Sequence, residues 1–327
     1  MSHYLIRRFI YMILMLIAVS IFAFIIIQLP PGSYLDTYVA ELEQQGGSVS
    51  EAEIAALKER YGLNQPMYVR YFKWMGGILQ GDMGRSFTFS QPVTNVIGER
   101  LPPSFAIAFL SLAFTYLIGI PIGIYAAARQ YSVGDYVFTV LGFIGMAIPN
   151  FFLALILMVA FYKWFGVSIG GLFSQEYLIS PWSWGKVWNM LKHMPIPLIV
   201  IGTASAAGIL RTMRGLILDE LKKQYVIAAR ARGLHELKIL FKIPVRLALN
   251  PIVSGIGFMF PRLVSGAAIV GIVLNLPTLG PVLFQALQSQ DTYLAGSIVM
   301  LMTFMTVVGV FISDVLLALI DPRIRYT

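Results

Sequence analysis

Few residues in this chain of 327 are of a kind that does chemistry. Its three histidines, His3, His193 and His235, are scattered, and no pair has the helical spacing of metal ligands. There is no cysteine, which excludes disulfides, thiolate metal sites and a cysteine nucleophile. No Gly-x-x-x-x-Gly-Lys-Ser/Thr loop is present to cradle nucleotide phosphates. No Gly-x-Ser-x-Gly elbow is read from the sequence either. What remains is a handful of polar groups inside long apolar stretches. Arg262 lies about 18 Å into one such stretch and Asp314 about 9 Å from the end of the next, at 1.5 Å per helical residue. An ionisable group in hydrocarbon is expensive and faces a bundle interior or a wet cavity. Two readings stay open for the pair: a tie between two helices, or lining of a pathway. Pro121, Pro149 and Pro261 remove backbone hydrogen bonds inside the same stretches. Pro261 beside Arg262 makes a polar spot near mid-membrane. The candidate pathway set is Pro149, Asn150, Pro261, Arg262, Ser265 and Asp314.

The elements that must position these groups follow from composition. Charged residues make up only 12% of the chain, apolar ones 57%, and the mean hydropathy is +0.75. A soluble domain carries about 25% charge, so a soluble enzyme, a disordered scaffold and a conventional nucleic-acid binder are excluded. The chain is an all-α membrane protein. Crossing about 30 Å of hydrocarbon takes roughly 20 residues of helix, and six stretches qualify: Phe9–Leu29, Ser104–Ala128, Tyr136–Tyr162, Pro195–Leu210, Asn250–Leu274 and Ala295–Ile320. The fourth, rich in Gly, Ala and Ser, reads as an interior span. The first reads as an uncleaved anchor rather than a signal peptide, since Leu29-Pro30-Pro31-Gly32-Ser33 offers no small-x-small cleavage site.

Positive charge orients the spans. Residues 211–249 hold nine Lys/Arg and residues 275–294 none, although both flank the fifth span. The first segment is therefore expected inside the cell, with both termini. The net charge of +8 is read as this asymmetry, with no polyanion partner implied. The expected organisation is 1–29 for the first span, 30–103 for an outer loop and 104–320 for a five-helix core. Residues 211–249 lie within that core on the inner side, and 321–327 form an inner tail. In the outer loop, Ser50-Glu51-Ala52-Glu53 opens a helix that Gly62 stops, and a second helix runs from Pro66 to about Leu79. Its aromatics Tyr68, Tyr71, Phe72 and Trp74 are expected as interface anchors.

The inner segment 225–244 reads as two short amphipathic helices broken at Gly233, which is free to adopt positive φ. Tyr225, Ala228, Ala229 and Arg232 recur at helical spacing before the break, and Leu237, Leu240, Phe241 and Pro244 after it. So small a helix pair must dock on something; an anionic lipid surface is the plain alternative to a protein partner. Ala228-Ala229, three residues, Gly233, nine residues and Ile243 resemble the coupling loop of ABC-importer permeases. Ala229-Arg230-Ala231-Arg232-Gly233-Leu234 fits the variant found in permeases of the dipeptide/oligopeptide/nickel type. The likeness extends to Tyr4–Arg8, Tyr61–Pro66, Tyr71–Trp74, Gly81–Ser86, Ala147–Phe151 and Asp321–Tyr326. Two places depart from it: Gly271, where the family often has an acidic residue, and Pro277-Thr278-Leu279-Gly280, where it has Pro-Gly-Leu-Gly.

The resemblance implies a six-span permease subunit of a type I ABC importer in a bacterial or archaeal cytoplasmic membrane, carrying short peptides by alternating access. It implies a second homologous permease, two ABC ATPase subunits that bind ATP and Mg, and an extracytoplasmic solute-binding protein. No cofactor or metal would be held by this chain, which would not itself be an enzyme. ATPase coupling falls on Tyr225, Ala228, Ala229, Arg232, Gly233, Leu234, Leu237 and Ile243. The same architecture serves oligosaccharides and nickel chelates. A passive channel would need rings of polar residues, and a membrane enzyme clustered catalytic groups.

Overall fold

The computed structural model describes residues 2–28, 65–166 and 169–320, with backbone alone at 2–5, 257–258, 260–266 and 316–320. The helix expected over Ser50–Gly62 and the tail 321–327 lie outside the described residues. Within them the secondary structure is helical apart from one isolated bridge between Arg85 and Pro92.

Helices α1 (Ser2–Gln28), α2 (Met67–Leu79) and α3 (Val93–Ala128) come first. A bent pair follows, α4 (Val133–Ala147) and α5 (Asn150–Phe165), then the short α6 (Trp184–His193) and the long α7 (Pro195–Leu221). Two short helices, α8 (Gln224–Ala231) and α9 (Glu236–Lys242), lead into α10 (Pro244–Ser254) and α11 (Ile256–Val273). The chain closes with α12 (Leu279–Gln288) and α13 (Thr292–Ile320). Among the described residues α1, α3, α7 and α13 are each long and apolar enough to cross a membrane, and α4–α5 together make a broken fifth span. Helix α11 occupies 18 residues of the fifth expected stretch.

Three boundaries differ from the sequence reading, each for a local reason. Tyr136–Tyr162 is not one rod: α4 and α5 meet at 101°. Proline disfavours helical φ/ψ in the residue before it, and Ile148 (ψ 119°) and Pro149 (ψ 137°) are both extended. Helix α7 continues eleven residues beyond Leu210 because its buried stripe continues through Met213 and Ile217. The stretch Asn250–Leu274 is split at Gly255 between α10 and α11.

Helix α7 is the axis of the bundle and the most buried of the four long single-helix spans among the described residues, as its small residues predict. It lies against α3, where Gly119 and Gly123 form a Gly-x-x-x-Gly pair. A Cβ at Gly123 would stand 2.8 Å from the Cβ of Met213 and 2.9 Å from the Leu210 carbonyl oxygen. Apolar packing then gathers at the two ends of α7. Ile107, Val200, Ile201, Val270 and Leu274 cluster toward α6, and Ala127, Met213, Ile217, Leu240, Val245 and Ile252 toward α8–α9.

Helix α2 is tucked against α1. Trp74 is only 4% exposed and stacks on Phe24 at 5.4 Å, and the Tyr71 hydroxyl is 2.7 Å from Ser20 Oγ. These two aromatics are therefore packing residues, whereas Tyr68 and Phe72 remain exposed. A second tie holds residues 81–92 to the start of α13. The carboxylate of Asp291, fully buried, accepts from the Ser86 hydroxyl (2.6 Å), the Thr88 amide (3.0 Å) and the Leu294 amide (3.1 Å).

Candidate coupling elbow and translocation residues

The segment from Lys223 to Ile243 forms the expected two-helix elbow. Extended backbone at Lys223 starts α8, and Gly233, at φ +74°, ends it. There the Gly233 amide donates to the Arg230 carbonyl at 2.9 Å, so the left-handed residue closes the helix while the chain reverses. His235 opens α9, its Nδ1 accepting from the Leu237 amide, and a two-bond ion pair from Arg230 to Glu236 (2.8 and 3.2 Å) ties the helices. A Cβ at Gly233 would meet nothing within 4 Å, so only its backbone conformation restricts the position. Gly233→Ala is accordingly expected to cost about 1 kcal/mol and to leave uptake within roughly threefold of the unsubstituted protein, as measured in membrane vesicles.

The elbow has its own small core: Val226, Ala229 and Ile239, with Leu221 and Ile243 packed against it. This changes the role of one expected residue. Ala229 points inward and is 7% exposed, so it does not form a flat outer face with Ala228. Ala228, Arg232 and Gly233 are exposed, as are the large side chains Tyr225, Ile227, Leu234, Leu237 and Phe241. Val226 and Ile239 are core residues that the sequence reading does not single out. Their signal is the i, i+3 step from Val226 to Ala229, masked by alanine's weak hydrophobicity.

The pathway candidates are less gathered. Pro149 and Asn150 stand at the α4–α5 break, Pro149 exposed and Asn150 half-buried. Pro261, Arg262 and Ser265 are on α11, and their side chains lie outside the described residues. Asp314 finds its ionic partner on α1, with Arg8 Nε at 3.2 Å. The tie it makes thus joins α13 to α1, beside a groove of about 140 Å³ that includes Met12, Met15 and Val310. This pairing spans nearly the whole chain and leaves no local signal.

The two family departures belong to one contact. A Cβ at Gly271 would stand 2.9 Å from Pro281 Cγ and 3.2 Å from Thr278 Oγ1, and one at Gly280 2.6 Å from Ala268 Cα. The α11–α12 turn therefore fills the space that an acidic side chain at 271 would need.

Gly166-Val167-Ser168-Ile169-Gly170 has the Gly-x-Ser-x-Gly spacing, a match the sequence reading passes over. It follows the C-terminus of α5, where Gly166 caps the helix at φ +66°; a nucleophile elbow instead joins a strand to a helix. Among the described residues no three His, Asp or Glu side chains converge as a metal site would require.

Comparison with known proteins agrees with this architecture. The family of binding-protein-dependent transport system inner membrane components matches residues 119–326, and the family's N-terminal part matches residues 1–108. The chain is 33% identical over 330 residues to the oligopeptide transport system permease protein AppB of Bacillus subtilis, covering all of both chains. It is 32% identical to a putative peptide permease protein of Brucella ovis and 29% identical to the dipeptide transport system permease protein DppB of Alkalihalophilus pseudofirmus, each covered in full. Its fold is similar to a chain of the MetNI methionine ABC transporter in an inward-facing conformation. That similarity has a TM-score of 0.51 at 18% identity, over 69% of this chain and 96% of that one. With long apolar helices, a glycine-hinged helix pair and matches running from end to end, this chain belongs to the family of binding-protein-dependent transport system inner membrane components, the permease subunits of ABC importers.

Proposed function

We propose that the chain carries short peptides across the bacterial or archaeal cytoplasmic membrane as one of two permeases in an ATP-driven importer. The observation that carries the coupling role is the elbow. It is folded on an internal core of its own, yet it turns Tyr225, Leu234, Leu237 and Phe241 outward, apolar surface that awaits a partner. Two ATPase subunits, which bind ATP and Mg, grip that face from inside the cell. The inner location rests on the nine positive charges of residues 211–249, and it puts both termini inside. A homologous permease completes the pathway, and a solute-binding protein delivers the peptide at the opposite face. Closure of the ATPases pushes the elbow, α7 carries the push into the bundle, and hydrolysis resets it. Pro149 and Asn150 line the cavity with Pro261, Arg262 and Ser265. The relatives' names support peptides as the cargo.

The absence of native cysteines makes the test direct. Leu237→Cys in the assembled transporter is expected to cross-link to an ATPase subunit, and ATP-dependent tripeptide uptake is expected in proteoliposomes. Cross-links to lipid-soluble reagents alone would overturn the docking role, and uptake of another solute class in place of peptides would overturn the cargo.

A further inference from the structure

Helix α4 is held to α7 by a joint that the coupling elbow does not include. Asp135, in the first turn of α4, is 2% exposed, and both its oxygens are engaged by Arg214 of α7, at 2.7 Å from Nε and 2.8 Å from Nη2. The Tyr131 amide (2.9 Å) and the Thr139 hydroxyl (3.3 Å) also donate to the carboxylate, so its lone pairs are used on every side. This two-bond geometry fixes direction as well as distance. Above the joint the guanidinium of Arg211 lies over the Phe143 ring at 5.9 Å. Higher still, a Cβ at Gly142 would stand 3.8 Å from that of Ala207, and one at Gly145 2.9 Å from Thr203 Cγ2. The two helices therefore run side by side from the joint upward. Seven residues after Arg214, α7 ends at Leu221 and hands over to the elbow. At its far end α4 is released from α5 by the break at Ile148–Pro149.

We propose that Asp135 and Arg214 are the positioning residues that make α4 follow α7. Displacement of the elbow then reaches the α4–α5 break through this pair rather than through the loop joining α3 to α4. The inference rests on the importer reading above. It differs from a packing role because α4 and α7 must keep their separation through the whole cycle.

The 3.8 Å separation is the mean Cβ–Cβ distance of a disulfide. Gly142→Cys with Ala207→Cys, assembled with its partners in proteoliposomes, is expected to form that bond under a copper–phenanthroline oxidant. Uptake by the oxidised transporter is expected within about twofold of the reduced one. Loss of uptake on oxidation, restored by reductant, would overturn the proposal, because the helices would then have to part. Failure of the bond to form would also overturn it.

Arg214→Ala in the same background tests the ion pair. It is expected to keep solute-stimulated ATP hydrolysis while uptake falls at least tenfold. Oxidation of the two introduced thiols is expected to restore the ratio of solute moved to ATP hydrolysed. Arg214→Lys, which keeps the charge and loses the two-bond fork, is expected to fall between the two. Unchanged uptake in Arg214→Ala, or an equal fall of hydrolysis and uptake that oxidation does not repair, would overturn the role. Should the transporter without Arg214→Ala show no solute-stimulated hydrolysis even when reduced, the importer reading itself would fail, a distinguishable result.

Discussion

Ala229→Glu is expected to abolish both uptake and solute-stimulated ATP hydrolysis while the protein still inserts in the membrane. The elbow's core consists of Val226, Ala229 and Ile239. Burial supplies about 1.5–3 kcal/mol for each larger side chain. An unpaired carboxyl placed among them costs about 2–7 kcal/mol even when neutral. The penalty is comparable to what burial of Val226 and Ile239 contributes, and the exposed Arg230–Glu236 pair adds little, so the two helices separate and the docking face is lost. Ala228 supplies the control. It is exposed, so Ala228→Glu leaves the core intact and changes only the charge of the outer face. The measurements are membrane fractionation, peptide uptake and ATP hydrolysis in the assembled transporter. Wild-type uptake by Ala229→Glu would refute the inward placement of this residue.

Asp291→Ala is expected to loosen the opposite end of the molecule. Its carboxylate accepts from Ser86 Oγ, Thr88 N and Leu294 N, and the side chain is fully buried. Alanine leaves these donors without their acceptor, at about 1–3 kcal/mol for each buried group left unsatisfied. Residues 81–92 should detach from the turn between α12 and α13, where Ser289 also meets the Thr88 hydroxyl at 2.6 Å. A fall in melting temperature of roughly 5–10 °C is expected, with faster protease cleavage between Asp82 and Gln91. Asp291→Asn should be milder, because an amide oxygen in the Oδ2 place keeps two of the three bonds. An unchanged cleavage rate in Asp291→Ala would show that the loop is held by other contacts.

The elbow is the most legible part of the sequence, since Gly233 and the helical spacing on either side of it are local signals. Which way Ala229 faces is not legible: alanine fits either side of a helix, and Ile239 chooses the side from across the turn. The positive charges of residues 211–249 are legible as a cluster, but not as helix. Arg211 and Arg214 ride on α7, whose other face carries Met213 and Ile217, and a charge count does not register that face. The pairs Asp135–Arg214 and Arg8–Asp314 are invisible for a simpler reason. Their members stand 79 and 306 residues apart, and no periodicity links them. The bend at Ile148–Pro149 is available in principle from Pro149, but average hydropathy runs smoothly through it.

That bend sets a condition on how the protein can exist. Helices α4 and α5 have 15 and 16 residues, about 22 and 24 Å, so neither half crosses the hydrocarbon by itself. The corner with its interrupted amide ladder therefore sits at bilayer depth, and Pro149 there is exposed on the isolated chain. Peptide groups facing acyl chains without partners cost several kcal/mol each. A lone copy thus sits uneasily in lipid until a neighbour or trapped water covers the corner. Newly made protein in which the corner stays uncovered should be short-lived in the bilayer.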